Sequence, residues 1–118
     1  MTLDAVDLEE RFKRLMGQGI YVTDVSHEDG ALHVGHETVA AEGVPGREAG
    51  RILDVLVEAH REGEWEPTDV HGWVFETSEG AADREQRGTW RAEKGWFHAL
   101  EDGTISETDF STLVLSTI

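Results

Sequence analysis

The chain of 118 residues contains no cysteine, so disulfide bonds and thiolate metal sites are excluded. No apolar run approaches the roughly 18 residues of a membrane span, and residues 1–4 lack the start of a signal peptide. The hydrophobic fraction of 38% is nevertheless sufficient for a core. We therefore expect one folded domain over residues 1–118, located in the cytoplasm and without a membrane partner.

Lysine is scarce, since Lys13 and Lys94 are the only two lysines among ten basic residues. Aspartate and glutamate total 25, which gives a net charge of −15. An acid-rich, lysine-poor composition is typical of proteins from halophilic archaea, whose cytoplasmic salt screens the repulsion between such charges. The arginines are scattered among acids, whereas phosphate binding needs a basic patch. The composition therefore predicts a halophilic protein that does not bind nucleic acid.

Residues 47–62 carry the clearest helical pattern in the chain. The charged residues occupy a narrow arc of the helical wheel, whereas apolar residues cover about 200° at 100° per residue. Only Glu48 and His60 interrupt the apolar arc. A surface helix usually has an apolar stripe of about 100°. This segment is therefore predicted to be the central core helix, packed on a sheet and also covered from the side.

The remaining pattern predicts an α+β fold. A helix over 3–17 precedes a hairpin of strands 20–27 and 31–39. The strands are joined by Asp29-Gly30, which is a strong signal for a type I′ turn. A two-residue turn at this point places Thr23 opposite His36 and puts Tyr21 on the core face. After the central helix we expect strands over 70–77 and 89–92, separated by an exposed loop over 78–88. Residues 93–118 form a C-terminal helical hairpin with a capping box at Ser106–Asp109. The elements predict a four-stranded antiparallel sheet with helices on one face.

The C-terminal third contains the residues Gly88-Thr89-Trp90, Trp96, Gly103, Ile105-Ser106-Glu107 and Phe110. In these residues it resembles the C-terminal signature of a haloarchaeal family of unknown function. The resemblance implies a strand, a tryptophan-bearing helix, a turn and a closing helix, and it supplies no catalytic residues. Residues 96–115 also resemble short helical hairpins that serve as association segments. The element order is similar to that of roadblock-type adaptor domains, which pair through their sheets and helices.

The six histidines raise the question of a metal site. The weak metal candidates are His33 and Glu37, which share a face of the predicted hairpin, and His71, which is placed to line a pocket. A zinc site needs three or four converging ligands, and the predicted hairpin register does not bring its histidines together. We therefore expect no metal and no cofactor. His60, in the last turn of the central helix, is expected to donate to carbonyl groups there.

No catalytic residues are predicted. The chain has no serine in a Gly-x-Ser-x-Gly turn and no phosphate-binding glycine loop. The unusual apolar feature is its aromatic content. Trp73 and Phe75 share the heavier face of a predicted strand, and Trp65 lies between two glutamates in a loop. We expect Trp65 either to be exposed or to cover the end of the central helix. The three residues are the candidates for binding a partner.

These observations favour a non-enzymatic protein-interaction module, acting as a homodimer or with another protein. The alternative is a small-ligand-binding protein or a metal-dependent enzyme, with a pocket between sheet and helices and with His33, His71 or His98 in the site. The two hypotheses differ in oligomeric state and in metal content.

We expect folding to depend on salt. Transfer into dilute buffer removes the screening between carboxylates, so the fold should loosen and far-UV circular dichroism should decrease. Return to molar salt should restore the signal. Undiminished dichroism at low salt would contradict the halophilic interpretation.

Overall fold

A long helix lies between two pairs of strands in the chain. A computed structural model describes residues 5–38, 44–76 and 86–118. Within these ranges the elements are α1 (Ala5–Phe12), a 3-10 helix (Lys13–Gln18), β1 (Tyr21–Glu28), β2 (Ala31–Thr38), α2 (Gly46–Arg61), β3 (Asp69–Glu76), β4 (Gln86–Ala92), α3 (Lys94–Glu101) and α4 (Glu107–Leu115). The α+β class is confirmed. No helix in the described part of the chain is long and apolar enough to cross a membrane.

The four strands form a mixed sheet in the order β1-β2-β3-β4. β1 pairs antiparallel with β2, and β3 pairs antiparallel with β4, but β2 and β3 are parallel. The prediction of a purely antiparallel sheet is therefore wrong. The reason is that the connection containing α2 returns the chain to the end of the sheet at which β2 begins. β3 therefore runs in the same direction as β2, as in other parallel crossovers. The loop predicted over 78–88 is also corrected, because 86–88 belong to β4 and 78–85 lie outside the described residues.

The hairpin turn forms as predicted, with positive φ at Asp29 (52°) and Gly30 (76°). The register follows the prediction as far as Val25, which lies opposite Val34. An irregularity between Val22 and Asp24 then shifts the pairing, so that Val22 rather than Thr23 lies opposite His36. A one-residue shift exchanges the two faces of a strand. Tyr21 consequently leaves the core face and is 38% exposed.

The core lies between the helices and one face of the sheet. The apolar arc of α2 is buried as the helical wheel predicts, and it packs with side chains from the other helices and from β2, β3 and β4. Arg11 pairs with Glu62 and Glu64, which connects α1 to the end of α2. The buried α2 residues are Ala49, Ile52, Leu53, Val55, Leu56 and Ala59. The central core helix is therefore confirmed.

Hydrogen bonds that side chains accept fix the two C-terminal helices. The Asp69 carboxylate accepts the Lys94 N–H at the start of α3 (2.8 Å), where a negative charge suits the helix dipole. At α4 the predicted capping box is present, because Ser106 Oγ accepts from the Asp109 N–H and Asp109 accepts from the Ser106 N–H. The hydrogen bond that the Ser106 N–H donates to the carboxylate is the main cause that lowers the pKa of Asp109. Thr117 accepts the Arg91 N–H (3.0 Å), which protects the outer edge of β4.

Two glycines offer a matched test of this packing. A Cβ at Gly72 of β3 would lie 1.9 Å from Trp90 Cε2, whereas a Cβ at Gly50 of α2 would have no atom within 4 Å. Gly72→Ala should therefore destabilise the fold by about 3 kcal/mol or more, since the buried indole must move. Gly50→Ala should raise stability by up to about 1 kcal/mol, because alanine favours the helix. Denaturant unfolding of both variants measures the difference, and equal midpoints for Gly72→Ala and the parent chain would refute the packing.

Candidate functional site

The parallel pairing of β2 and β3 assembles a surface on the side of the sheet away from the core. His33 lies opposite His71 in the register, and Glu37 lies opposite Phe75. Because side chains alternate along strands, these residues share one face with Trp73. We refer to this surface as the open sheet face; its members are Tyr21, Asp24, Ser26, Glu28, His33, Gly35, Glu37, His71, Trp73, Phe75, Thr89 and Arg91. Five of the six candidate residues from the sequence therefore lie together.

The centre of the open sheet face is a stack of aromatic rings. The His33 ring lies 5.4 Å from the His71 ring and 5.2 Å from the Trp73 ring, with interplanar angles near 20° in both pairs. His33, Trp73 and Phe75 are only half-buried. A shallow groove of about 340 Å³ runs from these rings to β1, where Asp24 and Glu28 form its acidic side. The surface thus combines flat aromatic rings with a charged margin.

The metal candidates His33, Glu37 and His71 share this face without forming a coordination site. The two stacked imidazoles present their ring faces to one another, and this arrangement does not direct two nitrogens at one ion. Glu37 lies further along β2, opposite Phe75. The donor atoms therefore do not converge in the way that a zinc site requires.

Trp65 does not belong to this surface. It is 2% exposed and packs edge to face against Phe97, with ring centroids 5.2 Å apart. After α2 ends, the N–H groups of Glu64 and Trp65 both donate to the Ala59 carbonyl, which turns the chain back over the helix end. The expectation that Trp65 is exposed is wrong, and the alternative, that it covers the end of the central helix, is correct. This removes the reason for placing Trp65 among the partner-binding residues.

A larger groove of about 760 Å³ lies between α2 and α4. Its floor includes the apolar side chains of Leu53, Val57 and Phe110, and Leu115, at its margin, is 52% exposed. Its rim carries charges of both signs, namely Arg47, Arg51, Asp54, Glu58, Arg61 and Glu107. We refer to this as the helix groove. The alternative hypothesis expects a pocket between sheet and helices, whereas this groove is bounded by helices.

A family model described as a domain of unknown function (DUF8159) matches residues 2–118. The chain belongs to this family. No curated protein and no solved structure matches it. The expectation of membership in a family of unknown function is thus confirmed, whereas haloarchaeal origin stays a prediction. Any functional assignment for this chain must come from its own residues.

A buried polar cluster that no sequence pattern predicts lies between β2 and α2. His36 is fully buried, and its Nε2 lies 3.1 Å from Glu48 Oε1. Thr38 Oγ1 donates to the other carboxylate oxygen of Glu48 (3.0 Å). Burial lowers the pKa of His36, although the charge of Glu48 opposes this effect. The neutral imidazole therefore donates from Nε2 to Glu48 and joins the sheet to the first turn of α2.

We expect His36 to make stability depend on pH. Its pKa in the fold lies below the value of about 6.5 in an unfolded chain, so below that pH the unfolded chain binds a proton that the folded chain does not. The free energy of unfolding should therefore fall as the pH decreases through about 6.5, by at most about 1.4 kcal/mol per pH unit from this site. The stabilising contribution is fully present above this range.

Urea unfolding at several pH values measures this slope. His36→Gln should flatten the slope, while His27→Gln, which removes an exposed histidine of the hairpin, should leave it unchanged. Equal slopes for His36→Gln and the parent chain would assign the pH dependence to other groups.

Proposed function

We propose that the protein is a non-enzymatic association module that forms a homodimer through the open sheet face. The observation that supports this proposal is the stack of half-buried rings on a sheet face that the described helices leave uncovered. A partly exposed group of aromatic rings on an uncovered sheet face commonly marks an interaction site. Aromatic residues, tryptophan above all, contribute strongly to binding at the centres of protein interfaces. Trp73 is therefore the central contact of the proposed interface.

The distribution of charge on the open sheet face favours a second copy of the same chain. Asp24 and Glu28 lie on β1, at one margin, and Arg91 lies on β4, at the other. A twofold axis parallel to the strands places β1 over β4 of the other copy and β2 over its β3. Through the ladder pairings of the sheet, Arg91 is level with Ser26, which lies between Asp24 and Glu28 in β1. Each arginine then meets two carboxylates of the other chain.

The same twofold axis also brings the aromatic rings of one copy over the shallow groove of the other. Gly35 of β2 is level with Trp73 of β3, and the shallow groove passes over Gly35. Superposition of β2 on β3 of the other copy brings each Trp73 indole over the other chain's groove. Aligned sheets pack about 10 Å apart at roughly 30°, with side chains interdigitating. Rings on one copy and a groove on the other provide that interdigitation.

The size of the open sheet face is also adequate. Strands of seven or eight residues, at about 3.3 Å per residue and about 4.8 Å between strands, give each copy roughly 500 Å² of flat area. Two copies together reach roughly 1,000 Å², the lower bound for a specific interface. The proposed dimer is therefore of modest stability, and its affinity should respond strongly to single substitutions.

Light scattering in molar salt tests the proposal, with an expected mass of twice the 13.1 kDa of one chain. Trp73→Ser should weaken the dimer by about 30-fold or more, as expected for a central aromatic contact. Leu115→Ser is the matched control, because it removes an exposed apolar side chain of the helix groove instead. A mass of one chain for the parent protein, or monomers from Leu115→Ser but not from Trp73→Ser, would refute the proposal.

Charge reversal provides an independent control of the orientation. Arg91→Asp should weaken the dimer because each introduced carboxylate then repels Asp24 and Glu28 of the other copy. Adding Asp24→Arg to the same chain should restore part of the affinity, since the attractive pair is recreated with its signs exchanged. Failure of the double variant to recover would exclude this twofold arrangement.

A further inference from the structure

The last turns of α2 and α3 bring two histidines and a glutamate together. His60 belongs to α2, and His98 and Glu101 lie three residues apart on α3. One ligand atom from each residue lies within 4.8 Å of the other two, a grouping of three found within the described ranges. The two imidazole rings are nearly perpendicular, with centroids 6.0 Å apart. We refer to these residues as the helix-end triad.

The orientation of His60 is fixed from behind. Its Nδ1 lies 3.2 Å from the Trp65 carbonyl oxygen, which can only accept, so Nδ1 carries the hydrogen. Trp65 is itself held in the core against Phe97. The Nε2 lone pair is therefore directed away from the core and toward the other two residues. Histidine ligands of metals are usually held in this way, with the second ring nitrogen donating to a carbonyl or carboxylate.

The contact between His60 and Glu101 brings two acceptor atoms close together. His60 Nε2 lies 2.5 Å from Glu101 Oε2, and with the hydrogen on Nδ1 both atoms have lone pairs. Two such acceptors approach each other only if a proton or a metal ion neutralises the contact. The surroundings favour positive charge, because the carbonyl ends of two helices meet here and Glu62 and Asp102 cap those ends.

We propose that the helix-end triad binds a divalent transition-metal ion of the zinc class. His60 Nε2, one His98 ring nitrogen and the Glu101 carboxylate are the protein ligands. Two imidazoles and one carboxylate suit zinc, cobalt and nickel better than magnesium or calcium, which prefer oxygen ligands. Tetrahedral ligands of zinc lie about 3.3 Å apart. His98 and Glu101 are exposed, so both side chains have room to rotate to this spacing, and a water would complete the fourth position.

Binding of zinc and of cobalt to the full chain, after treatment with a chelator, tests this proposal. We expect one zinc per chain by calorimetry and visible absorption bands of four-coordinate cobalt. His98→Ala should weaken zinc binding by more than about 10-fold, and Glu101→Gln should also weaken it. Because both side chains are exposed, neither variant should unfold the protein. Zinc should raise the thermal midpoint of the parent chain but not that of His98→Ala.

Matched controls separate the helix-end triad from the other histidines. His27→Ala removes an exposed histidine of the hairpin, and His71→Ala removes one of the stacked rings of the open sheet face. Both should bind zinc as the parent chain does, and so should the dimer variant Trp73→Ser. Unaltered zinc binding in both His98→Ala and Glu101→Gln, loss of binding in His71→Ala, or no binding by the parent chain would overturn the proposal. None of these results bears on dimerisation, which uses other residues.

Discussion

The packing of α2 against one face of the sheet is the constraint on which the rest of the structure depends. A helix with so wide an apolar arc must be covered on several sides, and the chain achieves this by using it as the crossover between β2 and β3. The crossover makes these strands parallel and places His33 beside His71. It also leaves the second face of the sheet to be covered by something other than a described helix. The aromatic stack on the open sheet face is thus a consequence of where α2 lies.

The two polar interruptions in the apolar arc of α2 both have a role. Glu48, in the first turn, accepts from Thr38 and contacts the fully buried His36. His60, in the last turn, contacts the Trp65 carbonyl and Glu101. Burial of a polar group costs free energy unless it finds a partner. A polar residue that interrupts an apolar arc is therefore a sequence signal for a specific polar contact, although the sequence does not identify the partner.

How much of the structure could be predicted from the sequence depends on how far apart the interacting residues lie along the chain. The central helix, the Asp29-Gly30 turn and the Ser106 capping box depend on residues within a few positions of one another, and all three are confirmed. The parallel pairing and the irregularity in β1 depend on how distant segments pack, and neither follows from the local sequence pattern. The irregularity alone moved Tyr21 to the other face. Local propensity does not contain this information.

The candidate sites show the same division. Alternation along a strand correctly placed Trp73 and Phe75 on one face, but only the crossover brings His33 of β2 against them. The helix-end triad joins residues about forty positions apart, and its histidines have no shared pattern in the sequence. The available sequence signal for this site was the spacing of His98 and Glu101, which lie three residues apart on an exposed helix face. It becomes informative only when the end of another helix is known to lie beside it.

The net charge connects the proposed dimer with the predicted salt dependence. Each chain carries −15, so two copies repel one another. Packed sheets lie about 10 Å apart, a distance comparable to the screening length of about 8 Å at physiological ionic strength but well beyond the length of about 3 Å in molar salt. Repulsion across the interface is therefore largely removed in molar salt, while the burial of Trp73 and Phe75 remains favourable because excluded salts strengthen it. The acidic composition and the aromatic face are thus compatible with association only where salt is abundant.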